Sequence, residues 1–429
     1  MMLVRNAPLC LMTLVLLLQT DLAFAQQNVL IYEQEHGKFA PCEPSIAINP
    51  NNTEKMVVGT VLDYVSYSKD GGKTWKTERL QSSLGVYGDP CIVADDRHGF
   101  YYFHLSNPSG EGWANDDILD RIVCQRKARW RNAWNDGVGI GFNPPKDQDK
   151  EWAYWDPVKK RLLLTYTQFD RYGSEEEGCE TNIFFSSSKN GKKWIDPIKI
   201  NTLSGNCEDE SETAEGAVPS SDIDGNPIVS WGLNGKIYFQ RLINDVNGGL
   251  NPETVVVEND AHWAFSIPGI GRANGMPITL CDHSNANTRG TIYINWADQR
   301  NGENDTDIWL VKSTDNGKTW SAPKRINDDP PGKHQFFTWM AIDQTTGFLY
   351  AVFYDRRNHE GLKTDVYLAV SKDGGEHFIN TKISDSPFTP SDDVFFGDYN
   401  NIAAHNGVIR PVWTRNDQGK LSIWIAIIE

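Results

Sequence analysis

The sequence has little that would make a membrane protein, a nucleic-acid binder or a zinc site. Beyond the first 25 residues no long apolar run occurs, so no spanning helix is expected in the body of the chain. Basic residues are in the minority: 41 Lys and Arg face 57 Asp and Glu, a formal net charge of −16. That field repels polyanions and argues against nucleic acid or an anionic membrane as partner. No C-x-x-C or H-x-x-x-H spacing is present, which removes the common zinc ligand sets. Sustained helical periodicity is absent too, so the core must be built from strands.

What is present fits an all-β chain. The 429 residues include 36 Gly and 15 Trp, and aromatics make up 11%, which suits many short strands and tight turns. Residues 1–25 read as a signal peptide, with Arg5 ahead of an apolar stretch from Leu9 to Leu18 and then Ala23-Phe24-Ala25. A secreted or periplasmic protein is therefore expected, with residues 26–429 as one domain. Without Cys10 the mature chain keeps six cysteines, an even number that favours disulfides after export. Cys179 with Cys207 is the first pairing expected, and Cys42 with Cys91 the second.

One octet recurs: "SKDGGKTW" at 68–75, "STDNGKTW" at 313–320, "SKDGGEHF" at 371–378 and, less complete, "SSKNGKKW" at 187–194. Each follows a β-rich run. The Asp can cap its own turn, Gly supplies the positive φ, and the closing aromatic can fold back between strands. Trp75 and Trp320 are accordingly expected to be largely buried. The steps from Ser68 to Ser187 and from Ser187 to Ser313 are each about twice that from Ser313 to Ser371. A worn copy should lie in each long gap, and "VCQRKARW" at 123–130 and "INDVNGGL" at 243–250 are the candidates. Six units of roughly 55 to 70 residues match four-stranded propeller blades. Three further strands follow the sixth unit, and "NVLIYEQ" at 28–34 would complete them. A β-propeller of seven blades, closed by an N-terminal strand, is therefore favoured over one of six.

These octets resemble Asp-boxes, the repeats of sialidases and other BNR-repeat propellers. The resemblance covers the mature chain through its repeat. It implies that the octets sit on the face opposite the functional one, which is formed where inner strands begin and second strands turn into third strands. Acids stand at or near five inner-strand starts: Glu43, Asp89, Glu151 with Asp149 nearby, Glu215 and Asp398. The second-to-third turns combine Asp and Arg: Asp170 with Arg171, Asp298 with Arg300, and Asp355 with Arg356 and Arg357. Such a rim could bind a polar sugar through bidentate hydrogen bonds, or its acids and arginines could simply pair with each other. Crowded carboxylates can split into a protonated acid and an ionised partner, the division of labour in glycoside hydrolysis. They could equally hold Ca²⁺.

The sialidase resemblance implies an exported glycoside hydrolase that requires no cofactor and acts as a monomer on a carbohydrate. It places the nucleophilic pair at Tyr399 and Glu215 and the acid at Asp89. Arg241 and Arg356 or Arg357 would be two of the three arginines that hold a sugar carboxylate. The first of those arginines has no counterpart: no Arg-Ile-Pro motif occurs, and the first Arg after the signal peptide is Arg79. Two other readings stand beside it. One is a lyase on uronic-acid glycans using His334, Tyr399 and the arginines. The other is a non-catalytic propeller that binds glycan or protein.

Overall fold

Each octet turn closes the outer hairpin of a four-stranded antiparallel sheet. In the computed structural model, which describes residues 26–35, 41–97, 99–128, 133–243, 252–258 and 263–428, seven such sheets form a ring. The protein is a seven-bladed β-propeller. Blades 1 to 7 begin with the innermost strands Ser45–Ile48, Cys91–Ala94, Asp147–Asp156, Glu215–Ser221, Ile278–Cys281, Gln335–Asp343 and Asn401–His405. Most are buried on both sides and read as near-continuous apolar runs, as strands packed between two blades must. Among the described residues no helix is long and apolar enough to cross a membrane.

Closure comes from the N-terminus. Blade 7 takes three strands from the end of the chain, and Gln26–Glu33 pairs antiparallel with Lys420–Ile428 as its outermost strand. Gln26 lies opposite Ile428 and Glu33 opposite Ser422. Asn28 extends the seam to blade 6: its side chain donates to the Ile383 carbonyl at 2.8 Å and accepts from the Asp385 N–H at 2.8 Å.

The octets work as the turn chemistry requires, with one correction. In the first, Ser68 Oγ accepts from the Gly72 N–H at 2.8 Å, and Asp70 accepts from the Thr74 N–H at 3.0 Å and from its hydroxyl at 2.6 Å. The third repeats this geometry with Ser313, Gly317, Asp315 and Thr319. Gly317 has φ +79°, and a Cβ there would meet Phe239 at 2.3 Å, so only glycine fits. The closing aromatics Trp75 and Trp320 are half-buried rather than largely buried. The reason is where they pack: not inside their own hairpin but across the groove to the preceding blade. Trp320 of blade 5 meets Phe239 of blade 4 edge-on, and Trp194 of blade 3 meets Phe103 of blade 2. They seal joints between blades.

In blade 2 the third strand runs Ile122–Lys127, so residues 123–127 of the expected worn octet 123–130 are strand, not turn. Trp134 takes the aromatic place and its indole donates to the Tyr67 hydroxyl of blade 1 at 2.6 Å; Trp130 lies outside the described residues. Most of the other worn copy, 243–250, also lies outside them, as do residues 1–25. Of the expected disulfides, Cys179–Cys207 is present. Cys42 and Cys91 are not joined: both are free and buried in their own blades.

The central channel is plugged. Trp152, Trp339 and Tyr399 from blades 3, 6 and 7 converge on the axis, with Trp152 ring centroids 4.3 Å from Trp339 and 4.9 Å from Tyr399. The face on which the inner strands begin therefore ends in a blind depression.

Candidate active site

One backbone device shapes the mouth of that depression. Two residues before the regular inner pairing begins, the chain takes a positive φ in five blades: Glu43 (51°), Asp89 (45°), Lys150 (48°), Gly216 (70°) and Phe337 (49°). In blades 3, 4 and 6 this coincides with a bulge in the pairing with the second strand. Only glycine adopts such φ values without cost, and bulges of this kind re-aim side chains.

The bulge also explains what the sequence comparison missed. Glu43 and Asp89 hold equivalent places, but the equivalent residue in blade 3 is Lys150, not Glu151. A cation stands in the acid ring. Its ammonium lies 2.6 Å from Asp398, 3.3 Å from Asp89 and 3.9 Å from Glu43. A second cation, Arg272, arrives from the hairpin Phe265–Ile267 and Ile270–Ala273, inserted between blades 4 and 5. It chelates Asp398, with Nε at 2.9 Å, and reaches Asp209 at 2.5 Å. Asp209 also accepts from the Tyr172 hydroxyl at 2.7 Å and the Trp263 indole at 3.0 Å. The disulfide staples the Asp209 loop to the loop that carries Tyr172.

Seven carboxylates thus surround two cations: Glu43, Asp89, Asp149, Glu151, Asp209, Glu215 and Asp398, all buried or nearly so. They cannot all ionise. Burial lifts the carboxyl of Asp149 well above its usual range, and the charge of Asp89 lifts it further. Burial does the same for Glu151, again helped by Asp89, and for Glu43 against the pull of Lys150. Glu215 rises through burial and then through Asp209. Neither Glu215 oxygen has a hydrogen-bond partner among the described residues. Asp398 is the opposite case: burial would raise it, but Lys150 and Arg272 prevail and hold it far below its usual value.

The signs fix a pH dependence of stability. Acids raised in the fold add stability below their unfolded value of about 4, lost as pH rises through the folded values. Asp398 contributes above about pH 4 and is lost only in stronger acid. The thermal midpoint should therefore peak near about pH 5 and fall by several degrees towards about pH 8. A midpoint that rises over that range in thermal melts would contradict this charge balance.

Above the ring lies a pocket of about 380 Å³ whose lining includes Glu43, Asp89, Asp149, Lys150 and Arg272. Its rim is aromatic: Tyr87, Trp113, Tyr172 and Phe395. Of the residues expected from sequence, the structure brings Glu43, Asp89 and Asp398 to this ring, with Glu151 and Glu215 one layer behind. It does not bring the arginines or His334 there, while Tyr399 lies beneath the ring, within electrostatic reach of Glu43, Asp89 and Glu151. The Tyr399 hydroxyl points to the Pro90 carbonyl at 3.5 Å within the channel plug. Arg241 ends a third strand on the opposite face, bound to Asp222 at 2.6 Å. Arg300 chelates Asp298 at 2.9 Å and lies over Trp309. Arg357 is saturated by Asp355, Asp328 and Asn380. Arg356 donates to Thr364 and to the Pro268 carbonyl, and His334 bonds Thr306 at 2.9 Å, both outside the pocket. Burial and then the neighbouring Arg356 pull His334 down to about 4, so it is neutral at pH 7.

No protein-family model matches the sequence, and no curated protein does. Solved structures match by shape. A polysaccharide lyase described as an ulvan lyase superposes with a TM-score of 0.54 at 12% identity, over 91% of this chain and 95% of its own. The α-L-arabinofuranosidase of Fusarium graminearum, solved with an iminosugar inhibitor, gives 0.51 at 14% identity, over 80% and 97%. A protein of unknown function from Dyadobacter fermentans gives 0.50 at 12%, over 94% and 98%. At these identities the likeness is one of fold.

Proposed function

We propose that the protein is a carbohydrate-active enzyme, a glycoside hydrolase acting on an uncharged glycan. The observation that carries this is the pair of carboxyls lining the pocket: Asp149, whose carboxyl burial and then the charge of Asp89 raise well above its usual range, and Asp89, 3.3 Å from the Lys150 ammonium. Asp149 would donate its proton to the departing glycosidic oxygen. Asp89 would face the positive charge growing at the anomeric carbon and take a proton from the attacking water. The aromatic rim supports the reading, because rings pack against the C–H faces of sugars. So do the glycan-acting names of two propellers of like shape.

The charge balance speaks for a neutral sugar over a sialoside or a uronic acid. Lys150 and Arg272 are both spent on ring carboxylates, and Arg241, Arg300, Arg356 and Arg357 lie elsewhere. Of that set only Arg356 has no carboxylate partner among the described residues, with its Nη2 buried and unpaired, and it does not line the pocket. The same two cations bring to the ring the positive charge a Ca²⁺ ion would otherwise supply, so the reading needs no cofactor. The disulfide fits an exported chain.

The test is release of reducing ends from neutral polysaccharides by the wild type and by Asp149→Asn, Asp89→Asn and Tyr399→Phe. The Asp variants should lose about 10²–10⁴-fold in rate while melting as folded proteins, the range for a lost general acid or base. Tyr399→Phe should keep its rate. Tight glycan binding with no cleavage would replace the enzyme by a binding propeller.

A further inference from the structure

Trp113 is the most exposed of the large apolar side chains among the described residues, at 61%, yet it is not loose. It sits in the loop between the second and third strands of blade 2, in a short 3₁₀ turn, Gly112–Ala114. Ser109 binds Asp117 through its N–H at 2.9 Å and its hydroxyl at 2.8 Å, and Asn107 accepts from the Gly112 N–H at 3.1 Å. The loop presents the indole in a fixed pose. One face lies on Tyr172 of blade 3, with centroids 5.3 Å apart and planes 29° apart, while Tyr87 meets it edge-on at 6.4 Å. Tyr172 in turn is hydrogen-bonded to Asp209, the partner of Arg272. The platform is thus wired to the acid ring, and across the pocket Phe395 is 52% exposed.

We infer that the face of Trp113 turned away from Tyr172 is the stacking floor of a second sugar unit, so that the substrate is a chain of at least two neutral sugars. This rests on the hydrolase reading and names its substrate more closely. The pocket of about 380 Å³ is near the lower end of ligand sites, about 300–1,000 Å³. The first unit fills it over Asp89 and Asp149, and the chain leaves across Trp113. A sugar suits that surface because its C–H groups cluster on one face and its hydroxyls point sideways to water. Large apolar surface held rigid in solvent marks a recognition site, and an indole presents area at little entropic cost.

The test uses binding by calorimetry and product analysis with arabino-, xylo- and cello-oligosaccharides of one to five units, on otherwise wild-type and Asp149→Asn backgrounds. Affinity for the series that binds should rise roughly tenfold to a hundredfold from one unit to two, as burying a ring's apolar face implies. Trp113→Ala should abolish that rise, while Trp113→Phe should keep most of it. A rise that survives Trp113→Ala overturns the subsite and leaves the acid pair untouched. Full turnover in Asp149→Asn overturns the acid pair and leaves the Trp113 binding result readable. If no member of any series binds, the subsite is wrong.

Discussion

A chain that begins after residue 35 should fail to fold into a cooperative domain, although the lost strand is the outermost of its blade and lies far from the pocket. Removing Gln26–Glu33 strips Lys420–Ile428 of its partner along seven residue pairs. It also takes Ile31 out of the cluster in which Val412, Ile423 and Ile425 pack on Ile46 and Val58 of blade 1. The bare edge is long and apolar, which is the kind that recruits other chains. Blade 7 is the only sheet built from both ends of the described chain. Most of the ~5–15 kcal/mol expected for a domain should go with it. The expected result is aggregation or a broad low-temperature transition in a thermal melt. A midpoint within about 2 °C of the parent, where 1 kcal/mol is worth a few degrees, would show that the ring does not need its latch.

The second large effect belongs to Lys150. Replacing it by Met keeps the volume and leaves Asp398, Asp89 and Glu43 facing one another with Arg272 as the remaining cation. Removing one partner of a buried ion pair costs about 3–5 kcal/mol. Because carboxylates can take up protons, the loss should be greatest near neutrality and shrink in mild acid. The measurement is denaturant unfolding of Lys150→Met and wild type at two pH values. A loss under about 1 kcal/mol at neutrality, far below the range for a broken buried pair, would mean that the ring is not held by this cation. Lys150→Arg should recover part of the stability, since charge is kept and geometry is not.

How much of this was legible in the sequence follows from what repeats and what does not. The octets report their own turns through Ser, Asp and Gly, so the blade period could be read and the seventh blade inferred from leftover strands at both ends. Glu43, Asp89 and Asp398 were found because they recur at strand heads. Lys150 was hidden by a one-residue bulge, which shifts Glu151 out of register and puts a lysine where the pattern expects an acid. Asp209 and Arg272 sit in a loop and an inserted hairpin that no period describes; only the nearby Cys207 hinted that the first was held in place. The Asp–Arg dipeptides misled for a physical reason: Asp298 with Arg300 and Asp355 with Arg357 satisfy each other. Trp113 carried a signal that periodicity overlooks, a lone indole in the polar stretch "SGEGWANDD".

The most direct measurement is release of reducing ends by the protein from neutral polysaccharides set beside sialosides and uronic-acid polymers. The account predicts cleavage among the neutral glycans alone, lost about 10²–10⁴-fold in Asp149→Asn with folding intact. Cleavage of the sialosides or uronic-acid polymers, or undiminished turnover in Asp149→Asn, would contradict it.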